Sequence, residues 1–332
     1  ALRIVPGDAC EIRIDGEVVI TGYVDSVQPS FAAGSHSMSV QGRDRSADLV
    51  DCAAVHTPDA WKGLTLLQLA KTLAKPFGIT VRAEVDVGAA LPEVKLQQGE
   101  TALEALVRHA KMRKVLVMPD GRGGVLLTRT GVRHAAVELV QGRNLIEASG
   151  TLDFSERFSE YIVKGQARSK ANTDSGSEAH ARARATDAYI KRYRPLVIVA
   201  SGEVTNATAA ERATWEANTR LGKSAQASVT VQGWRQVPGG ALWEPNLLVM
   251  VRAPWLSLEG EMLVKEVTFS KGISGTTTAL ALVSPQAFEP EPPDGKQARK
   301  AKGDSIGGEL WTPGSGEVVR PKQGIPDWLL KK

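Results

Sequence analysis

Cysteine is scarce: Cys10 and Cys52 are the only two in 332 residues, and they stand at no metal-ligand spacing. Cys10 falls on the apolar side of an alternating strand, so a buried thiol in a reducing compartment is the expected state. The five histidines (His36, His56, His109, His134 and His180) are scattered over unlike elements with no close pair. No apolar run approaches the roughly 20 residues of a membrane helix, and no signal peptide opens the chain. It starts at Ala1 in strand-like sequence (Leu2, Ile4), which suggests that an upstream segment is missing or was processed. Charge of one sign is also lacking. Lys plus Arg number 41 against 37 for Asp plus Glu, a net +4, too mild to imply a nucleic-acid partner by itself. No glycine loop follows a strand and opens a helix, because Gly121-Arg-Gly-Gly124 reads as a hairpin turn. Gly303-Asp-Ser305-Ile-Gly-Gly308 resembles a hydrolase serine motif only superficially: it sits in a Pro/Gly-rich basic tail without the rigid turn and neighbouring base that a nucleophile needs. No catalytic, cofactor-binding or metal-binding residue is assigned.

What is present is strand patterning. In residues 6–44, Cys10, Ile12 and Ile14 alternate with Glu11, Arg13 and Asp15, the period of a half-buried strand. Asp15-Gly16 predicts a tight hairpin, Val18, Ile20 and Val24 mark the return, and Ala33-Gly34-Ser35 turns the chain before Met38 and Val40. Residues 245–285 repeat this order. A proline opens the unit, an apolar strand follows, Gly260-Glu261 matches Gly16-Glu17, and Thr278, Leu280 and Leu282 mark a third strand. Short strand patterns are weak signals and two meanders can look alike by chance. Against chance, the order, the proline and the Gly-Glu pair coincide, which predicts an internal repeat.

Between the meanders, Thr65 and Gln68 form a capping box for a helix over 64–77 with the stripe Leu66, Leu69, Ala70, Leu73 and Phe77, closed by Gly78. Ile79, Val81, Ala83 and Val85 read as a strand. Thr101 and Glu104 cap a second helix, and Val115–Met118 with Val125–Thr128 predict a hairpin. Residues 135–166 return to strand patterning, with Leu152, Phe154, Phe158, Tyr161, Ile162 and Val163 as strand or strand-edge core. Residues 164–194, with the basic run HARARATDAYIKRYR, read as a flexible loop or arm. Nucleic-acid contact is the sharp reading of that run, and a solvated loop touching another subunit is the one favoured here. A helix over 206–221 is capped by Thr208 and Glu211, ended by Gly222, and presents Ala210, Ala213 and Ala217. Trp243 and Trp255 suit barrel-end plugs. From Glu289, proline, glycine and charge leave little to form a core.

The corner GRDRSADLVDC, residues 42–52, puts Arg43, Asp44, Arg45 and Asp48 together, and interleaved signs point to an ion-pair network rather than catalysis. With the PGDA, IDGE and GYVD strands before it, this stretch resembles the central baseplate hub proteins of Mu-like contractile-tailed phages. More distantly it resembles the late-control and spike-hub families of phage tails and type VI secretion. The resemblance covers most of 1–288 and is most specific at 6–52 and 241–288.

The expected fold is mainly β with an α+β insertion: two related β-barrel domains, a small α/β domain and an extended C-terminal arm. The expected boundaries are 1–57 for the first barrel unit, 58–134 for the insertion, 135–288 for the second barrel unit and 289–332 for the arm. The resemblance implies a structural, non-enzymatic hub in the virion tail baseplate, assembled in the bacterial host cytoplasm. As a homotrimeric, pseudo-sixfold ring it would join the tail tube to the central spike around the genome channel. Its partners would be itself, the spike, tube and other baseplate proteins, and DNA passing without specific binding; no membrane span is expected. The alternative is a cell-wall or nucleic-acid binding module, or a tail-associated hydrolase.

Overall fold

The expected three-strand meander opens the chain in the computed structural model, which describes residues 4–166, 180–203, 205–273 and 275–288. Two compact units result, Ala1–Arg129 and Thr130–Lys332. In the first, β1 (Ala9–Ile14), β2 (Glu17–Ala32) and β3 (Ser35–Asp44) form a three-stranded antiparallel sheet. Asp15 and Gly16 both adopt left-handed backbone, at φ 49° and 86°, the requirement of the two-residue turn whose twist matches the strands it joins. The alternation in β1 holds only in part. Ile14 is buried, Cys10 is half-buried and Ile12 is exposed, and the β1–β2 register shifts between Ile12 and Arg13, with Val19 of β2 left unpaired.

A short helix α1 (Ala47–Asp51) leads into the small α/β part, made of β4 (Ala60–Trp61), α2 (Leu66–Ala74), β5 (Val81–Ala83), β6 (Val94–Lys95), α3 (Ala102–Lys111), β7 (Leu116–Pro119) and β8 (Val125–Thr128). Both anticipated capping boxes are present: Thr65 with Gln68 and Thr101 with Glu104 satisfy each other's exposed backbone N–H groups. A 3-10 turn over Lys75–Phe77 extends α2, and Gly78 at φ 65° ends it. The helices bury Leu66, Leu69, Leu73 and Leu106 against Val81, Val125 and Leu127 of the β5-β8-β7 sheet.

The second unit contains β9 (Arg133–His134), β10 (Leu139–Val140), β11 (Leu145–Leu152), β12 (Glu160–Gln166), β13 (His180–Thr186), β14 (Pro195–Glu203), α4 (Asn206–Lys223), β15 (Ala225–Gln232), β16 (Leu247–Ala253), β17 (Leu258–Gly272) and β18 (Gly275–Val283). Its main sheet has seven strands in the order β10-β16-β17-β18-β15-β11, with β9 also beside β16. Val229, Val249, Val251, Met262, Val264, Leu280 and Leu282 fill its core. Closed barrels are not formed: among the described residues every sheet is open.

A smaller sheet, β13-β12-β14, packs on α4 through Val163, Ala209 and Ala213. Here the basic run departs from expectation. HARARAT is not a loop but strand β13, antiparallel to β12. Helix α4 is capped by Thr205 with Thr208, three residues before the expected box. It buries Ala209, Ala213 and Ala217, leaves Ala210 exposed, and runs past Gly222. That glycine is needed for packing: a Cβ there would lie 2.4 Å from the Ala287 backbone nitrogen. No described helix is long and apolar enough to cross a membrane. The arm 289–332, with Ser305 and its glycines, lies outside the described residues.

Candidate assembly surfaces

Among the described residues no group of three His, Cys, Asp or Glu side chains could hold a metal ion, and backbone edges and faces give the more distinctive geometry. The two meanders have the same ladder. In the hairpin β2–β3, Val24 faces Gly42, Asp25 bulges, Ser26 faces Gln41, and pairing runs to Ala32 opposite Ser35. Adding 240 to each number gives the second hairpin, β17–β18: Val264 faces Leu282, Lys265 bulges, Glu266 faces Ala281, and pairing runs to Gly272 opposite Gly275. The first strands agree as well. Ala9 to Ile12 face Tyr23 to Ile20, as Leu248 to Val251 face Leu263 to Gly260.

That register corrects one detail of the sequence comparison. Gly260-Glu261 does not correspond to the turn residues Gly16-Glu17, because both lie inside β17 and Gly260 occupies the place of Ile20. The turn of the second copy is a 3-10 turn over Pro254–Leu256 closed by left-handed Ser257.

The bulge of the first copy aims Asp25 at the charged corner. Arg43 donates from Nε to Asp25 Oδ2 at 2.7 Å and from Nη2 to Asp51 Oδ2 at 2.8 Å, so the network uses Asp25 and Asp51, whereas Asp44 caps the Ser46 amide. The guanidinium holds the Asp51 carboxyl below its ordinary value, and both carboxylates push the Arg43 pKa further up. Strands β2 and β3 meet closely beside this corner: a Cβ on Gly22 would stand 1.8 Å from the Arg43 carbonyl oxygen.

In the second unit, Arg157 is fully buried. It donates from Nε to Asp187 Oδ2 at 2.8 Å and from Nη2 to Asp187 Oδ1 at 2.9 Å, between the rings of Phe154 and Tyr189. Burial raises the Tyr189 hydroxyl. A paired guanidinium buried between rings fastens two chain segments, and removing either partner would strand a buried charge. Sequence reading missed it because its partners lie 30 residues apart.

The basic run resolves into two faces. Ala183 and Ala185 pack toward α4, while Arg182 and Arg184 lie beside Lys164 and Ile162 of β12 and are exposed. Glu160 accepts from Arg184 Nη2 at 2.6 Å, which leaves a modest cationic stripe. The two tryptophans also part company. Trp243 is buried at 3% exposure, but Trp255 is 86% exposed and plugs nothing. It borders a cavity with Ile146, Ala148 and Leu256 beside β11.

Comparison with known proteins matches residues 1–44 to the Mu phage baseplate assembly protein GpP-like N-terminal domain. Residues 46–129 match the second domain of the baseplate hub protein gp44-like family. Residues 205–291 match the fourth domain of the Mu phage baseplate assembly protein GpP. The chain is 38% identical over 314 residues to the baseplate hub protein gp44 of Escherichia phage Mu, covering 92% of this chain and 82% of that one. Among solved structures, it is similar to the 43 kDa tail protein of prophage MuSo2 from Shewanella oneidensis at TM-score 0.78 and 39% identity, covering 87% and 85% of the two chains. A tail protein from Neisseria meningitidis MC58 follows at TM-score 0.69 and 25% identity, covering 86% and 87%.

Proposed function

The chain belongs to the family of Mu-like phage baseplate hub proteins, a structural component of the tail baseplate, and from that premise we propose that it works as a trimeric, pseudo-sixfold ring. The ring joins the sixfold tail tube to the threefold central spike and leaves a channel through which the genome passes without specific binding. Its partners are itself, the spike, the tube and other baseplate proteins, and it assembles in the host cytoplasm.

One observation carries the reading: the shared ladder of the two meanders, bulge included. Two equivalent units per chain, three chains to a ring, present six similar positions to a sixfold tube. Closed symmetry also satisfies strand edges without open polymerisation. In this reading the four-part division at 57, 134 and 288 is functional, the barrels become complete only in the assembled ring, and residues 289–332 dock on a partner. No residue performs chemistry, so Ser305→Ala leaves assembly and infectivity intact. The direct test is mass in solution by sedimentation. A trimer at micromolar concentration is expected, with a contact on the order of 2,000 Å² or more; a monomer overturns the ring.

A further inference from the structure

The two meanders share a ladder but not an environment. In the second copy one face is core: Val249, Val251, Met262, Val264, Val267, Phe269, Leu280 and Leu282 pack together. The outer edge of β18 there is occupied by antiparallel β15, from Gln226 opposite Val283 to Gln232 opposite Thr277. In the first copy the equivalent face is covered at Val24 and half-covered at Val27, and is open over the rest of the hairpin and on β1. Ile12, Met38 and Val40 stand at the places of Val251, Thr278 and Leu280, and are 51%, 53% and 42% exposed where their counterparts are fully buried. Phe31 on the same face is 85% exposed. Among the described residues no strand pairs with the outer edge of β3.

Natural sheets guard such an edge with lysine, proline or short length. The β3 sequence SHSMSVQGRD is ten residues long, has neither lysine nor proline, and carries its charges, Arg43 and Asp44, only at its end. It has the form of an edge that is filled.

We propose that β3 is completed by a second copy of this chain, whose β11 adds its free edge and whose Ile146 and Trp255 cover the open face. Strand β11 fits for three reasons. It ends the seven-stranded sheet and its outer edge has no strand partner among the described residues. Its sequence LIEASGTL has no lysine or proline either. Beside it lies a cavity lined mainly by apolar side chains, Ile146, Trp255 and Leu256 among them, with Gln141 and Glu147 also on its wall. Among the other free edges, β13 carries Arg182 and Arg184 in its middle, which oppose such pairing through charge, and β14 begins at Pro195. Joining β3 of one copy to β11 of the next is a head-to-tail contact, which closes only by rotation. It extends the sheet of each second meander into the first meander of its neighbour. The inference rests on the ring proposed above and specifies its interface.

Chains carrying Ser39→Cys on β3 are mixed with chains carrying Ser149→Cys on β11, both with Cys10 and Cys52 replaced by serine, and treated with a short bismaleimide. Both altered serines are exposed, so the fold tolerates the changes. A covalent dimer that forms in the mixture, and is at least tenfold weaker with either variant alone, is the expected result. No mixed dimer while sedimentation still gives a trimer overturns the β3–β11 contact and leaves the ring standing. A monomer by sedimentation overturns both. If a chain carrying both Ser39→Cys and Ser149→Cys cross-links only within itself, the second copy is not the occupant and the inference fails.

Discussion

Asp25 and Lys265 stand at the same bulge of two copies of one hairpin and carry opposite charges. The equivalence therefore belongs to the backbone. A bulge adds one residue to one strand and sharpens its twist, which any side chain permits, and each copy uses the projecting residue differently. Asp25 meets Arg43, but Val283 fills the Arg43 place in the second copy and gives Lys265 no such partner there. The repeat preserves shape and edge placement while surface chemistry differs.

Gly22 is fixed by strand approach and not by backbone conformation. Any Cβ there meets the Arg43 carbonyl oxygen at 1.8 Å and the Asp44 Cα at 2.9 Å, atoms that cannot rotate away. Gly22→Ala is expected to cost about 3 kcal/mol by forcing β2 and β3 apart. Gly150→Ala, whose nearest neighbour is the Leu258 side chain at 3.6 Å, is expected to stay within about 1 kcal/mol. Urea unfolding of the two variants makes the comparison, and equal midpoints would refute it.

The Asp51 carboxyl titrates below its ordinary value because Arg43 donates to it. A depressed folded value contributes stability above the unfolded value of about 3.9, and that contribution is lost as pH falls through the lower folded value. The pair is exposed, so salt weakens it. Carboxyl NMR titration checks this: Arg43→Ala is expected to move the Asp51 midpoint upward to the ordinary range, and an unmoved midpoint would disprove the link.

Local signals were legible and distant pairings were not. Asp15-Gly16, the Thr65 and Thr101 capping boxes and Gly78 each act within a few residues, and each appears where the sequence puts it. The basic run misled because its partners, β12 and Glu160, lie about twenty residues upstream. Alternation Ala-Arg-Ala-Arg is the signature of a strand with one packed face, a signal present in the sequence but outweighed by charge. Gly260-Glu261 resembled a turn because glycine marks turns, yet it lies in a strand whose pairing only the fold supplies. The repeat was legible in order and missed in register, since a bulge leaves no fixed residue type.

Arg157 gives a test of the second unit. Its guanidinium is fully buried and the partner carboxylate of Asp187 is 7% exposed. Removing one member of such a pair strands the other charge, at about 3–5 kcal/mol. Arg157→Met should lose that much by chemical denaturation. Replacing Asp187 with leucine in the same chain should recover part of the loss, because no uncompensated charge remains. A double variant as unstable as the sum of the singles would show that the charges are not coupled.

The tryptophans separate folding from assembly. Trp243 sits in the core of the main sheet, and its indole nitrogen has no hydrogen-bond partner among the described residues. Its contribution is therefore volume: Trp243→Ala should cost about 3–5 kcal/mol, and Trp243→Phe much less, since no hydrogen bond is lost with the ring nitrogen. Trp255 is the reverse case. Exposed beside the apolar border of β11, it has little to lose when the chain is alone, and Trp255→Ala should leave the unfolding midpoint within about 0.5 kcal/mol. Large aromatic side chains that leave water only on association dominate interface energies. A loss of about 2 kcal/mol per contact would weaken association by more than tenfold, visible as a shift of the oligomer midpoint to higher concentration in sedimentation. If Trp255→Ala unfolds the chain or leaves that midpoint unmoved, Trp255 is not an interface anchor.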